Sequence, residues 1–245
     1  GEPPRLVVGG SFAIAGTANA SRIAMWNGET WAPLGLGMNG AVNALAVLPN
    51  GELVAGGSFT SAGGTIANCI AKWTGSTWTS FGTGMNAGGT VYALAVHPNG
   101  DLIAGGAFTS VNGTSANRIA RWDGMTWTAM GSGMTGGIAG TTVRSIAFLS
   151  NGDIVASGGF ANAGEDPASN IARWNGSDWA ALGAGTNGTV SACIVLPTGD
   201  LIAGGHFSVP ASNVAKWNGS QWLPVGEGTN GGVTCLSILS NGKLV

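Results

Sequence analysis

The sequence predicts an all-β propeller of five blades, and three features of the chain support this prediction. Its 10 tryptophans fall into five pairs that share one internal spacing. Short apolar runs are separated by Asn-Gly and Asp-Gly, which favour two-residue hairpin turns because both central positions need positive φ. No segment has the 3.6-residue period of an amphipathic helix. The pairs are Trp26/Trp31, Trp73/Trp78, Trp122/Trp127, Trp174/Trp179 and Trp217/Trp222.

The repeat unit has about 47 residues, which is the size of a propeller blade and not of a helical or leucine-rich repeat. Successive tryptophan pairs lie 47, 49, 52 and 43 residues apart. A single small sheet exposes two faces that it cannot bury alone, whereas sheets packed side by side around an axis bury both. We therefore expect residues 1–245 to form a single domain of five repeats.

Residues 42–86 show the unit most clearly, as four strands that form one antiparallel sheet. Asn50-Gly51 joins the first two strands, and Thr74-Gly75 joins the last two. The pair Gly56-Gly57 interrupts the second strand, and glycine weakens a strand unless another group needs the space. We expect a tryptophan of the same or a neighbouring blade to cover these glycines. The predicted strands are residues 42–48, 53–59, 69–73 and 77–81.

The chain begins in a second strand and ends in a first strand, which predicts how the ring closes. Residues 5–12 match the second strand of the unit, and residues 233–239 match the first. One blade would then combine three N-terminal strands with one C-terminal strand, and this pairing removes the exposed edges of an open array. The overlap Lys243-Leu244-Val245 leaves an alternative, in which the chain is a segment of a longer array.

Two motifs recur in most repeats. They read Gly-Gly-x-Phe-Thr-x-Ala-Gly-Gly at residues 56–64 and Asn-x-Ile-Ala-x-Trp-x-Gly-x-x-Trp at residues 68–78. This pattern resembles the repeats of bacterial secreted or cell-surface β-propeller proteins, and it is more loosely similar to WD-repeat and kelch units. The resemblance covers nearly the whole chain. It implies a propeller fold and an extracellular or cell-surface location, and it implies little about function.

Composition argues against several classes of function. Charged residues make up only 8% of the chain and the net charge is −2, so no basic footprint for nucleic acid exists. No run of 18 apolar residues occurs, so we expect no membrane insertion. Cys69, Cys193 and Cys235 match no metal-binding spacing. We expect three unpaired thiols, with a Cys193–Cys235 disulfide as the alternative, and a monomeric protein.

No group of side chains has the spacing of an active site. His97 and His206 lack a partner at metal-ligand or triad spacing. One acid recurs just after the first hairpin turn of each unit, which indicates a structural role. A recurring basic residue precedes the third-strand tryptophan and either lies across the blade face or binds an acidic partner. We expect no catalytic residue, metal or cofactor. The acids are Glu52, Asp101, Asp153 and Asp200, and the basic residues are Lys72, Arg121, Arg173 and Lys216.

The longer loops are the best candidates for ligand binding, because binding residues concentrate on loops of a rigid scaffold. The loops between blades carry one recurring polar residue, which is asparagine in four repeats and threonine in the fifth. Such a ring could bind sugar hydroxyls, or it could satisfy the backbone groups of the loops themselves. The candidates are Asn39, Asn86, Thr135, Asn187 and Asn230.

These observations favour a non-catalytic scaffold or binding module whose partner is an unknown protein or a carbohydrate. The first alternative is a repeat lectin with one weak sugar site per blade and avidity from repetition. The second is a propeller hydrolase, which would need paired carboxylates near the axis.

Overall fold

The computed structural model describes residues 6–137 and 140–245, which form β-strands and turns without a helix. No segment of the described residues is therefore a helix that could cross a membrane. Nine antiparallel sheets are present, five larger and four smaller. We number the larger sheets 1 to 5 in chain order.

Sheets 2 to 5 have four antiparallel strands each, as the sequence predicts, whereas sheet 1 has three. Sheet 1 contains β1 (Leu6–Gly9), β4 (Ile23–Trp26) and β5 (Trp31–Pro33). Sheet 2 contains β6 (Val42–Val47), β7 (Leu53–Gly57), β10 (Ile70–Trp73) and β11 (Trp78–Ser80). Sheet 3 contains β12 (Val91–Val96), β13 (Leu102–Gly106), β16 (Ile119–Trp122) and β17 (Trp127–Ala129). Sheet 4 contains β19 (Thr142–Phe148), β20 (Ile154–Gly159), β23 (Ile171–Trp174) and β24 (Trp179–Ala181); sheet 5 contains β25 (Val190–Val195), β26 (Leu201–Gly205), β27 (Val214–Trp217) and β28 (Trp222–Pro224).

Each smaller sheet contains a short hairpin from the loop between the second and third strands of a larger sheet, and one of them also includes a strand from the link between sheets 3 and 4. Tight turns with glycine at positive φ make these short hairpins, for example Gly63 at φ 61°. They are β2 (Ile14–Ala15) with β3 (Ala18–Asn19), β8 (Ser61–Ala62) with β9 (Thr65–Ile66), β14 (Ser110–Val111) with β15 (Thr114–Ser115), and β21 (Asn162–Ala163) between β18 (Met134–Thr135) and β22 (Asp166–Pro167).

Neighbouring sheets pack through the glycine pairs, and here one prediction from the sequence is wrong. A side chain at Gly56 would collide with Val91 and Leu94 of the next sheet. The first strand of that sheet, not a tryptophan, therefore covers the glycine. The tryptophans cover other glycines, as Trp78 does at Gly63.

In three of the tryptophan pairs, the second tryptophan joins neighbouring sheets by a hydrogen bond. Trp78 Nε1 donates to the Leu34 carbonyl at 2.8 Å, and Trp179 Nε1 donates to the Met130 carbonyl at 2.7 Å. Trp222 Nε1 makes the same bond to the Leu182 carbonyl at 2.7 Å. Because the indole ring is largely buried and its N–H is satisfied, each of these residues fixes the spacing between two sheets.

The acidic and basic columns pair with each other within each four-stranded sheet. Because a charge that is already paired is a poor binding surface, the basic column is not a free docking site for an acidic partner. Asn50 and then Lys72 hydrogen-bond Glu52, and these bonds lower the pKa of its carboxyl despite partial burial. The pairs are Lys72–Glu52 at 3.2 Å, Arg121–Asp101 at 2.6 Å, Arg173–Asp153 at 3.2 Å and Lys216–Asp200 at 3.3 Å.

The predicted closure of the ring is not seen among the described residues. Sheet 1 contains only β1, β4 and β5, and residues 233–239 do not pair with β1. Instead, the Val233 N–H donates to the Gly205 carbonyl at 2.9 Å, and Val233 and Leu236 cover Gly204. This C-terminal segment therefore lies against sheet 5 where the first strand of a following sheet belongs.

All three cysteines are free thiols, so the alternative Cys193–Cys235 disulfide is not formed. Cys69 and Cys193 are buried, whereas Cys235 is exposed. Burial raises the pKa of the Cys69 thiol to about 11.

Candidate functional site

A β-bulge recurs at the same place in the first strand of each four-stranded sheet. In sheet 2, Val42 faces Gly57 and Ala44 faces Gly56, which leaves Asn43 without a partner on β7. Bulges of this kind bend the strand and redirect one side chain, and they are common next to functional sites. The bulged residues are Asn43, Tyr92, Arg144 and Ser191.

The four bulged residues line one cavity of about 530 Å³, which we call the axial cavity. Thr189, His206 and Thr234 complete its lining. Thr234 follows Val233 in the sequence as Asn43 follows Val42, so it holds the same position of the repeat. The cavity thus receives one residue of the same column from each of five repeats.

This column differs from its neighbours because it does not repeat. The residue before it is valine in all five units, and in four of them that valine covers a glycine of the preceding sheet. The column itself holds five different polar residue types. Core positions repeat because each sheet packs in the same way, whereas a position that varies from blade to blade suits a ligand without fivefold symmetry.

Arg144 gives the axial cavity a positive charge. Its guanidinium carbon lies 5.5 Å from the centre of the Tyr92 ring, which is the range of a cation–π contact. The salt bridges between described residues involve other side chains, and no Asp or Glu lines the cavity. Among the residues that the structure describes, no carboxylate therefore pairs with the Arg144 guanidinium.

The remaining lining groups are neutral and can form hydrogen bonds. Asn43 Nδ2 donates to the Val91 carbonyl at 3.2 Å, which orients the side chain and leaves its oxygen as an acceptor. Ser191 and Thr234 supply hydroxyl groups that both donate and accept. The arrangement can bind a polar group, and Arg144 favours one that carries negative charge.

His206 reaches the cavity because the following repeat has a glycine beneath it. A side chain at Gly232 would collide with the His206 ring. The position of Gly232 carries alanine or threonine in the other units, and the position of His206 carries a small residue. His206 is thus larger, and Gly232 smaller, than the equivalent residues of the other repeats. The space left by Gly232 accommodates the imidazole ring, which lies at the cavity.

Three of the loop residues predicted as ligand candidates cap the loop between the second and third strands of the following sheet. Asn39 Oδ1 accepts the N–H groups of Thr60 and Ser61 at 2.9 and 3.0 Å. Asn86 and Asn187 make the equivalent pairs of bonds, to residues 109 and 110 and to residues 208 and 209. Thr135 accepts a longer bond of 3.4 Å from Asn162.

Two of these candidates also border an open groove on the loop side. Asn187 and Asn230 line this groove of about 530 Å³ together with His206, which links it to the axial cavity. The structure does not bring the five candidates together into one site.

The two histidines have different surroundings. His97 Nε2 lies 2.9 Å from the Gly152 carbonyl, and His97 Nδ1 lies 2.7 Å from Asn99 Oδ1, so this ring joins the turns of two neighbouring sheets. His206 lies at the cavity. Among the described residues, no cluster of three metal-ligating side chains occurs.

Sequence reasoning missed Asn43, Tyr92, Arg144 and Ser191, because they lie within apolar runs that indicate a buried strand. The available signal was the variation of this one column between otherwise similar repeats. That signal identifies a position without a packing role, but it cannot show the bulge that turns the side chain into the cavity.

Comparisons with known proteins support the propeller fold. Residues 32–124 match the family model described as the Rax2 C-terminal beta propeller domain. The extracellular domain of BT4673 from B. thetaiotaomicron aligns with a TM-score of 0.64 and 11% identity, covering 91% of this chain and 28% of that one. The RRP9 WD40 repeats align with a TM-score of 0.55 and 16% identity, covering 90% of this chain and 64% of that one.

No curated protein matches the sequence. The chain spans about a quarter of the bacterial extracellular domain, so that likeness concerns the fold and not the whole protein. The repeats, the four-stranded antiparallel sheets and these similarities define the chain as a β-propeller repeat protein.

Proposed function

We propose that this protein is a non-catalytic β-propeller binding module that holds its ligand in the axial cavity. One observation supports this above all. Four equivalent β-bulges direct Asn43, Tyr92, Arg144 and Ser191 into a single cavity, although the residue before each of them is always valine. A bulge leaves one residue without a partner in the β-ladder and redirects its side chain. All four redirected side chains line the same cavity.

The proposal includes a closed five-bladed ring in which residues 233–239 form the inner strand of the blade that contains β1. The valine and leucine of this segment match those of β6, and β1 lacks a neighbour on one side. Closure protects every amide of residues 6–9 from hydrogen exchange. An open three-stranded sheet leaves alternate amides of β1 in fast exchange, and that result would reject closure.

The partner is a carbohydrate or a protein, and the module acts as a monomer outside the cell. Support for the location comes from the sequence resemblance and from the similar fold of a bacterial extracellular domain. The near-neutral charge of the chain agrees with a partner other than nucleic acid or membrane.

The repeat lectin is the weaker candidate. Its sites would use the loop asparagines, but the amide oxygens of Asn39, Asn86 and Asn187 already accept two backbone N–H groups each. Trp78, Trp127 and Trp179 are buried between sheets, so their rings are not available to stack on sugars. A hydrolase is weaker still, because the described lining of the cavity offers no carboxylate pair.

A glycan array and a peptide array, each probed with matched variants, test the proposed function. Ligands of the wild type should be lost with Tyr92→Ala and Arg144→Ala. They should remain with Met125→Ala, since Met125 is 83% exposed in a hairpin turn outside the cavity. Ligands that survive both cavity variants but disappear with Asn86→Ala and Asn187→Ala would instead support the lectin.

A further inference from the structure

We propose that the axial cavity binds a sugar that carries a carboxylate, with Arg144 as the residue that holds the carboxylate. This inference rests on the proposed function and specifies its ligand. The site is formed by side chains from five different repeats, so only the assembled sheets provide it.

The charge of the ligand follows from Arg144. A guanidinium binds a carboxylate through two parallel hydrogen bonds, and such charge-assisted pairs are among the strongest in proteins. Four other basic residues, Lys72, Arg121, Arg173 and Lys216, already pair with acids of their own sheets. Arg144 has no carboxylate partner among the described residues, and its guanidinium is held over the Tyr92 ring at 5.5 Å.

The rest of the ligand follows from the neutral lining. Asn43, Ser191 and Thr234 present an amide and two hydroxyls, and Thr189 adds a third hydroxyl. A sugar ring offers hydroxyls that both donate and accept, which matches groups of this kind. A peptide side chain with the same carboxylate would leave most of these polar groups without partners, and burying them unpaired is unfavourable.

The cavity volume agrees with a small ligand. About 530 Å³ lies within the range of pockets that enclose a small molecule, and it exceeds the size of a single anion. We therefore expect one or two sugar units, of which one is a uronic acid.

The decisive experiment compares two probes that differ only in the carboxylate. Methyl glucuronide carries a carboxylate where methyl glucoside carries a hydroxymethyl group. Titration calorimetry or nitrogen–proton correlation spectra should show binding of the glucuronide that is about tenfold or more tighter than that of the glucoside. The chemical-shift changes should centre on residues 43, 92, 144 and 191.

Three variants separate a specific contact from general charge. Arg144→Gln should remove the preference for the glucuronide, and Arg144→Lys should restore only part of it because lysine lacks the planar fork. Lys243→Gln also removes one positive charge, but from an exposed turn outside the cavity, and it should change nothing. Thermal unfolding of each variant establishes that it is folded.

Several outcomes overturn the inference. They are equal binding of the two sugars, glucuronide binding that survives Arg144→Gln, no binding of either sugar, and binding of N-acetyl-aspartate amide in place of the glucuronide. If array ligands still depend on Tyr92 and Arg144 in any of these cases, the proposed binding function stands and only the uronic acid fails. If no ligand depends on the cavity, both fail.

Discussion

Ser157 lies beside Cys193 at the position where each neighbouring repeat places a glycine beneath a leucine or isoleucine. Gly56 lies beneath Leu94 and Gly105 beneath Ile146, and in both cases a Cβ on the glycine would press on the larger residue. The added bulk of Ser157 is thus matched by the reduced bulk of Cys193. Ser157 is fully buried, and its hydroxyl lies beside the Cys193 thiol.

This relationship predicts that Cys193→Leu destabilises the protein and that Ser157→Gly rescues it. The single leucine variant should lose about 1–3 kcal/mol through overpacking. The double variant recreates the Gly–Leu pair of the other repeats, so its free energy of unfolding should lie near that of the wild type. Urea unfolding of all four proteins measures the coupling, and additive effects of the two substitutions would contradict the pairing.

The indole hydrogen bonds predict a difference between two equally buried tryptophans. Trp179 is 5% exposed and donates to the Met130 carbonyl, whereas Trp127 is 6% exposed and its N–H has no partner among the residues that the structure describes. Trp179→Phe should therefore cost about 1–3 kcal/mol more than Trp127→Phe, because it leaves a buried carbonyl unpaired while Trp127→Phe removes an unpaired donor. Each variant is the control for the other in thermal or urea unfolding, and equal losses would show that the bond contributes nothing.

The sequence predicts most of the local structure, because turn chemistry and apolar runs are short-range signals. Asn50-Gly51 and Thr74-Gly75 mark turns that the structure contains, and the strand predicted at residues 53–59 is β7, Leu53–Gly57. The strand predicted from Cys69 begins one residue later, since Cys69 has a positive φ of 64° that a strand does not accommodate.

The candidate site was harder to predict because it depends on contacts between repeats. The bulge at Asn43 exists because Val42 and Leu45 both cover Gly9 of sheet 1, and no local pattern encodes that contact. The sequence shows the loop asparagines as a recurring column. It does not decide whether their side chains bind a ligand or cap backbone N–H groups, and the structure shows that Asn39, Asn86 and Asn187 cap the next hairpin. Ring closure depends on the two most distant segments of the chain, and residues 1–5, which include its start, lie outside the described residues.

The three thiols should differ in reactivity. Burial raises the pKa of the Cys69 thiol to about 11 and also raises the pKa of the Cys193 thiol, so both stay protonated and shielded at neutral pH. Cys235 is exposed. Iodoacetamide should therefore label one thiol per native chain, and mass spectrometry should locate it at Cys235. Cys235→Ser provides the control, and rapid labelling of that variant would contradict the burial of the other two.

The Asp123 carboxylate should stabilise the folded protein at neutral pH, and this contribution should be lost in acid. Its carboxylate accepts the Thr126 and Met125 N–H groups at 2.8 and 2.9 Å, and these bonds lower its pKa. A lowered pKa in the folded state gives stability that is present above the ordinary value near 4 and is lost as the pH falls below it.

Asp123→Asn is the matched variant, because Asn175 makes the same two bonds at the equivalent turn. The stability of the wild type relative to this variant should fall between about pH 7 and about pH 2.5, since asparagine does not titrate. Unfolding midpoints at the two pH values measure the effect. A constant difference between the two proteins would exclude any contribution from the Asp123 carboxylate.

The contact between His206 and Gly232 predicts a sharp difference between two adjacent glycines. A Cβ at Gly232 would collide with the imidazole, whereas a Cβ at Gly231 would meet open space. Neither glycine has a positive φ, so backbone strain does not separate the two substitutions. Gly232→Ala should destabilise the protein by about 1–3 kcal/mol or displace the His206 ring, and Gly231→Ala should be nearly neutral.

Adding His206→Ala to Gly232→Ala should restore stability, because alanine recreates the small residue that the other repeats carry there. Urea unfolding reports the stabilities, and the histidine ring resonances report the displacement. If both alanine variants behave alike, His206 is not held by Gly232 and its place at the axial cavity has another cause.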